Sequence, residues 1–301
     1  MKNEMVSVII PTHNRSNTLE RAIKSVISQT YPEIEIIIVD DNANNEEERQ
    51  KVKKIVENYN NINLIQNKVN LGGGQSRNEG IKAAKGKYVA FLDDDDEFFP
   101  QKIEKQYELY KYVSSKDDKV GLIYCYAEYI SENERKIRKV DLEGNPLKEH
   151  LMLCIAATSW WFCQKNVLEK LGGFEDVSSH QDAMTLFKIL KAGYNIYRVP
   201  EVLLKYYVHN GSGITKTSYE WINVDKEYMK KYMEIKERFS KKDQRDIEFS
   251  FFSRAASYYY RLNDKKQLKE STIEMIKRKP FKYQTIKTIV KNFLISFKGE
   301  I

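Results

Sequence analysis

Lys87-Tyr88-Val89-Ala90-Phe91-Leu92-Asp93-Asp94-Asp95-Asp96-Glu97 joins a short apolar run directly to five consecutive carboxylates. The run 87–92 reads as a buried strand, being apolar and aromatic and too short for a helix. Adjacent carboxylates repel one another unless a cation neutralises them. In an open α/β sheet, ligands bind outside the carboxyl ends of the strands. Hard oxygen ligands there suit Mg²⁺ or Mn²⁺, which also bind substrate phosphates. A solvated acidic turn, capping a helix begun by Pro100, is the alternative. The position after a buried strand favours the chemical reading.

Upstream, Val6-Ser7-Val8-Ile9-Ile10 is a second buried strand, stopped by Pro11. Leu19, Ala22, Ile23, Val26 and Ile27 follow at helical spacing, with Ser16 or Asn17 as the cap. The β-branched run 34–39 suits a parallel strand covered on both faces, and it ends in Asp40-Asp41. Residues 44–59 read as a helix and 62–66 as a strand, and Gly72-Gly73-Gly74 predicts a flexible turn before a helix over 76–84. Pro100 opens a helix over 100–114, and 120–130 returns as a strand. Repeated βα units predict a doubly wound, mostly parallel α/β sheet with right-handed crossovers. The second half predicts a strand over 160–163, a short helix ended by Gly172-Gly173, a helix over 180–192, and strands over 194–199 and 202–209. From Tyr219 onward the pattern is helical, so we divide the chain into an α/β domain, 1–215, and a helical extension, 216–301.

The 301 residues are enough to bury a core without disulfide or metal staples. With 41% hydrophobic and 31% charged residues, globally disordered and low-complexity classes are excluded. Cys125, Cys154 and Cys163 are odd in number and lack C-x-x-C spacing, which fits buried thiols in a reducing cytosol. Neither a signal peptide nor an apolar run near the ~20 residues of a membrane span is expected. Net charge is +7, and most of it sits in the tail. From Met275 onward, Lys277, Arg278, Lys279, Lys282, Lys287, Lys291 and Lys298 face one acid, Glu300. An acidic centre with a basic tail argues against a nucleic-acid partner.

No G-x-G-x-x-G follows the first strand and no phosphate-loop lysine is present, so a dinucleotide-binding reading is disfavoured. The ordered set Val6 to Arg15 (Val-Ser-Val-Ile-Ile-Pro-Thr-His-Asn-Arg), Val39-Asp40-Asp41, Gly74-Gln75-Ser76-Arg77-Asn78-Glu79-Gly80, and Phe91 to Asp96 with Pro100 resembles the family 2 glycosyltransferases. Gly172-Gly173-Phe174, Gln181-Asp182 and Tyr206 to His209 continue the likeness in order, over roughly residues 5–215.

That resemblance implies a GT-A fold and an inverting, metal-dependent transfer of sugar from a nucleotide-diphosphate donor, with UDP as the expected nucleotide. It places Pro11, Thr12, His13 and Asp41 in the base pocket, and Arg77 on nucleotide oxygens. Asp95 aligns with the metal-ligating Asp, which would hold Mn²⁺ or Mg²⁺. Asp93 and Asp94 are expected at the ribose and the metal's waters, with Asp93 a further metal contact. Asp182 aligns with the catalytic base. His13 replaces a frequent Tyr, Asn42-Ala43-Asn44 a frequent Gly-Ser turn, and His180-Gln181-Asp182 a frequent Glu-Asp. His209 is a candidate metal ligand, with an ordinary structural His as the alternative. In an alternating strand, one of Trp160 and Trp161 would enter the core and the other would offer its face to a sugar.

The acceptor is expected to be a glycan, lipid-linked or protein-linked hydroxyl, in the synthesis of cell-surface polysaccharide or glycoconjugate. Rival readings are a nucleotidyltransferase, which should carry a Gly-rich loop after the first strand, and a catalytically silent sugar-nucleotide binder. Within 281–297, Phe281, Ile286, Ile289, Val290, Phe293 and Phe297 mostly keep helical spacing among Lys282, Lys287 and Lys291. Such a helix suits an anionic membrane surface, or it packs within the protein or on a second subunit. The expected location is cytoplasmic, peripheral on the inner face of the cell membrane, with a homo-oligomer as a further option.

Overall fold

The computed structural model describes residues 4–153, 155–177, 179–208 and 219–297, with side chains over 222–291 in the last stretch. Contacts divide the chain into two units, one of residues 1–147 and 154–210, the other of 148–153 and 211–301.

The first unit carries one sheet. Strands β1 (Val6–Thr12), β2 (Ile34–Asp40), β3 (Ile62–Gln66) and β4 (Tyr88–Phe91) pair in parallel in the order β3-β2-β1-β4. Helices α1 (Ser16–Ile27), α2 (Glu46–Glu57) and α3 (Gly72–Ala83) supply the connections. Val8, Ile9 and Ile10 of β1 and Ile37, Ile38 and Val39 of β2 are fully buried, and Leu19, Ala22 and Ile23 of α1 are buried as well. Each such side chain contributes roughly 1.5–3 kcal/mol by leaving water, which makes these strands a stiff base for the loops at their carboxyl ends. Gly80 shows how close the packing is, because a Cβ there would lie 2.4 Å from Ile9 Cγ2.

Beyond β4 the sheet becomes mixed. After β5 (Glu97–Phe98) and α4 (Lys102–Ser114) come β6 (Val120–Ile130) and β7 (Arg135–Arg138). Helix α5 (Leu147–Met152), which from Lys148 on belongs to the second unit, precedes β8 (Phe162–Gln164), α6 (Lys165–Lys170), α7 (Gln181–Lys191) and β9 (Asn195–Tyr207). β8 runs antiparallel to both β4 and β6, and β6 pairs in parallel with β9. The expected break between two final strands is absent. Residues 200–201 form a bulge between Val199 and Val202 that accommodates Pro200, which has no N–H for the ladder. The short strands β5 and β7 have too few residues to show a period. Gly72-Gly73-Gly74 is the first turn of α3, not a flexible loop before it.

The second unit is helical: α8 (Tyr219–Met233), α9 (Lys241–Arg261), α10 (Lys265–Arg278) and α11 (Tyr283–Phe297). Ile222, Phe249, Ala256, Tyr259, Leu268 and Met275 form its core. Ser240 and Asp264 cap α9 and α10 by accepting from the Asp243 and Gln267 amides. Arg254 pairs with Asp225 at 2.9 Å, and Arg278 with Glu248 at 2.8 Å. No described helix is long and apolar enough to cross a membrane.

Candidate active site

The five carboxyl groups after β4 occupy different surroundings. Asp93 donates its amide to Ser159 Oγ at 3.1 Å, and its carboxylate pairs with Arg77. Asp94 and Asp95 turn toward Arg15, whose guanidinium pairs with Asp95 and lies 3.4 Å from Asp94. Arg15 follows a tight turn in which Asn14 takes φ +55° and donates its amide to Asn42 Oδ1 at 2.7 Å. Arg21 of α1 donates to the Asp95 carbonyl at 2.6 Å. Asp96 is buried: Oδ1 accepts from the Tyr207 amide at 3.0 Å, while Oδ2 has no hydrogen-bond partner among the described residues.

Burial pushes the Asp94 carboxyl up to about 7; the Asp95 charge adds to the rise and Arg15 opposes it. Asp96 lies well above the usual carboxylate range, through burial and then the charges of Asp93 and Asp95. Asp94 and Asp96 thus hold their protons more readily than ordinary carboxyls, while Asp93 and Asp95 are paired with Arg77 and Arg15. Among the described residues no three metal-ligating side chains already converge on one point. The donor set of crowded carboxylates, with one buried oxygen unpartnered, nonetheless has the chemistry of a hard divalent-cation site.

Arg77 links this cluster to α7. One guanidinium nitrogen pairs with Asp93, and the other donates to Gln181 Oε1 at 3.1 Å. The approach depends on Gly73, where a Cβ would come 3.1 Å from Arg77 Nη1 and 3.2 Å from Gln181 Oε1. Asn78 fixes the entry to α7 from the other side. It accepts from the Phe174 amide at 2.7 Å and donates to the Phe174 carbonyl at 2.9 Å. Gly173 before it takes φ +63°, and a Cβ there would meet Asn78 Oδ1 at 2.3 Å. Asp182 follows Gln181 in the first turn of α7. Tyr206 reports the convergence: burial first, then the charges of Asp96, Asp93 and Asp182, hold its phenol above the usual range.

At the neighbouring strand end, Asp41 is buried and fully engaged. Oδ1 accepts from Asn67 Nδ2 at 2.7 Å and the Leu71 amide at 2.8 Å, while Oδ2 accepts from the Gly72 amide at 2.8 Å. Thr12 ends β1 close by, donating nothing to Asp41 but accepting its amide at the Thr12 carbonyl, 2.9 Å. Pro11 is half-buried and His13 exposed, with His13 Nε2 2.9 Å from Asn70 Nδ2. Pro11, Thr12, His13 and Asp41 thus share one rim, with the 93–97 run at the end of the adjacent strand β4 and Arg77 reaching it from α3.

Two expectations fail or fall outside. Trp160 and Trp161 are both fully buried, so neither offers a face to a sugar. Residues 158–160 form a 3₁₀ turn rather than an alternating strand, and both rings are taken into the core. Trp161 stacks on Phe174 at 6.0 Å, and Trp160 meets the edge of Tyr129 at 6.2 Å. His209 lies outside the described residues. Cys125 and Cys163 are buried, and burial pushes the Cys125 thiol up to about 11, as befits small hydrophobes. Arg15, Asn78, Gln181 and Tyr206 lie in the motifs quoted from the sequence, which by themselves assign them no role. The signals available were an arginine right after a strand end and the two glycine-bearing motifs that the clamp joins.

The pattern described as Glycosyl transferase family 2 matches residues 7–171, more than half of the chain. An uncharacterised glycosyltransferase of Methanocaldococcus jannaschii is 31% identical over 219 residues, covering 70% of this chain and 73% of its own. The amylovoran biosynthesis glycosyltransferase AmsB of Erwinia amylovora is 27% identical, over 76% of this chain and 80% of its own. In fold the chain is similar to S. aureus TarS 1-349 in complex with UDP-GlcNAc (TM-score 0.62, 16% identity, 93% of each chain). It is also similar to the mannosyltransferase PcManGT of Pyrobaculum calidifontis in complex with GDP-Man and Mn²⁺ (TM-score 0.60, 18% identity, 98% of this chain and 81% of the other). With these matches spanning the strand ends that carry Asp41 and the 93–97 run, and α3 with Arg77, the chain belongs to the family 2 glycosyltransferases, on a GT-A fold with a helical C-terminal extension.

Proposed function

We propose that this glycosyltransferase is inverting and dependent on a divalent metal, and that it moves a sugar from a UDP-linked donor to a hydroxyl of a glycan, lipid-linked or protein-linked acceptor in cell-surface glycan synthesis. The observation that supports the reading is the Arg77 bridge from Asp93 to Gln181, the residue before Asp182 at the start of α7. Asp182 takes the proton from the acceptor hydroxyl as its oxygen attacks the anomeric carbon. The bond from that carbon to the diphosphate breaks, and its electron pair leaves with the nucleotide. One in-line displacement inverts the configuration.

Asp95 and Asp93 would hold Mn²⁺ or Mg²⁺, whose bound charge offsets what develops on the leaving diphosphate. Arg77 suits diphosphate oxygens by its planar, two-pronged donor geometry. Pro11, Thr12, His13 and Asp41 line the side expected to receive the base. The structural neighbours carry two different nucleotides, a UDP-sugar and a GDP-sugar, so donor choice rests on the base pocket.

The test is a panel of UDP-, GDP- and dTDP-sugars with Mn²⁺ or Mg²⁺, scored for donor hydrolysis and thermal stabilisation, with Asp95→Ala alongside. A UDP-sugar should win, and Asp95→Ala should lose metal-dependent turnover while remaining folded. Preference for a GDP-sugar sinks the nucleotide assignment. Wild-type turnover in Asp95→Ala sinks the metal assignment.

A further inference from the structure

The outer face of α11 carries apolar side chains where a helix seated on a helical unit should be polar. Thr285 is fully buried, its hydroxyl donating to the Lys279 carbonyl at 2.7 Å, and Thr288 is half-buried on the same side. At 100° per residue the opposite side gathers Tyr283, Ile286, Ile289 and Val290 into a stripe about 120° wide. Those four are 71%, 51%, 43% and 51% exposed, and Phe281 just before the helix is 92% exposed. The small polar residues hold α11 to its unit, and the large apolar ones point away from it.

Charge narrows what can cover this stripe. Residues 279–291 contain Lys279, Lys282, Lys287 and Lys291 and no acid. Lys279 pairs with Asp246. Among the described residues no carboxylate pairs with Lys282, Lys287 or Lys291; Lys291 lies over the Tyr260 ring, 4.3 Å from its centroid, which leaves Lys282 and Lys287 for a partner. Lys287 and Lys291 lie along one edge of the stripe, and Lys282 lies near the other. A second copy docked through the same face would set these lysine rows against each other, since a two-fold interface repeats one patch. An anionic bilayer meets both demands, accepting the apolar stripe among its acyl chains and the lysines among its head groups.

We propose that α11 is a membrane-docking helix, lying in the interface of an anionic bilayer with Tyr283, Ile286, Ile289 and Val290 inward and Lys282 and Lys287 toward phosphate head groups. Phe281, at the helix start, fits the interfacial level where aromatic rings concentrate. Each near-surface lysine strengthens such binding by about fivefold, and the lysine share weakens with salt.

The experiment uses the full chain with phosphatidylcholine vesicles, with and without phosphatidylglycerol, at low and high salt. Wild type should sediment with the anionic vesicles alone, and high salt should release most of it. Ile286→Glu/Val290→Glu should bind at least ~10-fold more weakly, with unchanged circular dichroism and unchanged donor hydrolysis. Lys282→Glu/Lys287→Glu leaves every apolar contact in place and should lose as much, which covers the case in which the first variant fails to fold. Three results overturn the proposal: no vesicle binding by wild type at low salt, equal binding to neutral vesicles, or variants that shift a wild-type dimer to monomer in light scattering. Loss of vesicle binding with intact hydrolysis also separates this proposal from the catalytic one.

Discussion

The Asp41 carboxylate accepts a 2.8 Å hydrogen bond from the Gly72 amide, so the residue just past β2 caps the helix α3, which begins 31 residues later. The Leu71 amide and Asn67 complete its set of donors. A nucleotide base docking on Asp41 would meet a side chain already fixed in place. Asp41→Ala should therefore weaken UDP affinity and also destabilise the fold, because buried amides lose their acceptor. We expect a loss of about 1–3 kcal/mol in denaturant unfolding, with UDP affinity in calorimetry falling alongside. Unchanged stability would show that the cap is dispensable. Unchanged UDP affinity would remove Asp41 from the pocket.

Arg77 touches both the acidic strand end and the start of α7. A lysine at this position carries the charge but cannot span Asp93 and Gln181 with two rigid prongs. Arg77→Lys should thus behave nearly as badly as Arg77→Ala, with donor turnover down by roughly 10–100-fold. Steady-state kinetics on both variants checks this. Recovery of most activity by lysine would mean that charge alone is needed there.

Asp182→Asn keeps the size of the side chain and cannot take a proton. Donor and metal affinity should stay within a few-fold of wild type, and transfer to acceptor should fall by ~10²–10⁴-fold. Single-turnover transfer with saturating donor isolates the step. A variant within a few-fold of wild type would assign the base elsewhere.

The parts legible in the sequence were those whose signal is local. The contrast between apolar residues 88–92 and the acids after them marks β4 and its site within a dozen positions, and β1 and β2 announce themselves by β-branched runs. The parts that were not legible depend on distant partners. Gly72-Gly73-Gly74 reads as a loop because nothing nearby shows that Asp41 will cap it into a helix. Trp160 and Trp161 read as alternating because a 3₁₀ turn leaves no period, and only the fold brings Tyr129, Phe91 and Phe174 around them. Arg15 lies 80 positions from Asp95, so their pairing is a product of β1 lying beside β4.

Lys102 offers a test of the core that is independent of catalysis. It is fully buried at the start of α4, its ammonium donating to Gln106 Oε1 at 2.7 Å and lying 4.0 Å from the Phe98 ring centroid. Gln106 passes the chain of hydrogen bonds on to the Trp160 carbonyl at 2.9 Å. Burial pulls the Lys102 ammonium down to about 8, outweighing the Cys125 thiol, which acts the other way. A positive charge at a helix N-terminus is also disfavoured by the helix dipole. The folded value lies below the unfolded one, so between about pH 8 and 10.5 the unfolded chain binds more protons. The Lys102 share of stability therefore rises as pH climbs through that window. Against Lys102→Met, wild type should gain about 2–3 kcal/mol between pH 7.5 and 10.5, while groups common to both chains, the buried tyrosines among them, cancel. Urea unfolding of both proteins across that range checks it. A pH-independent gap would mean that Lys102 titrates alike in the folded and the unfolded chain.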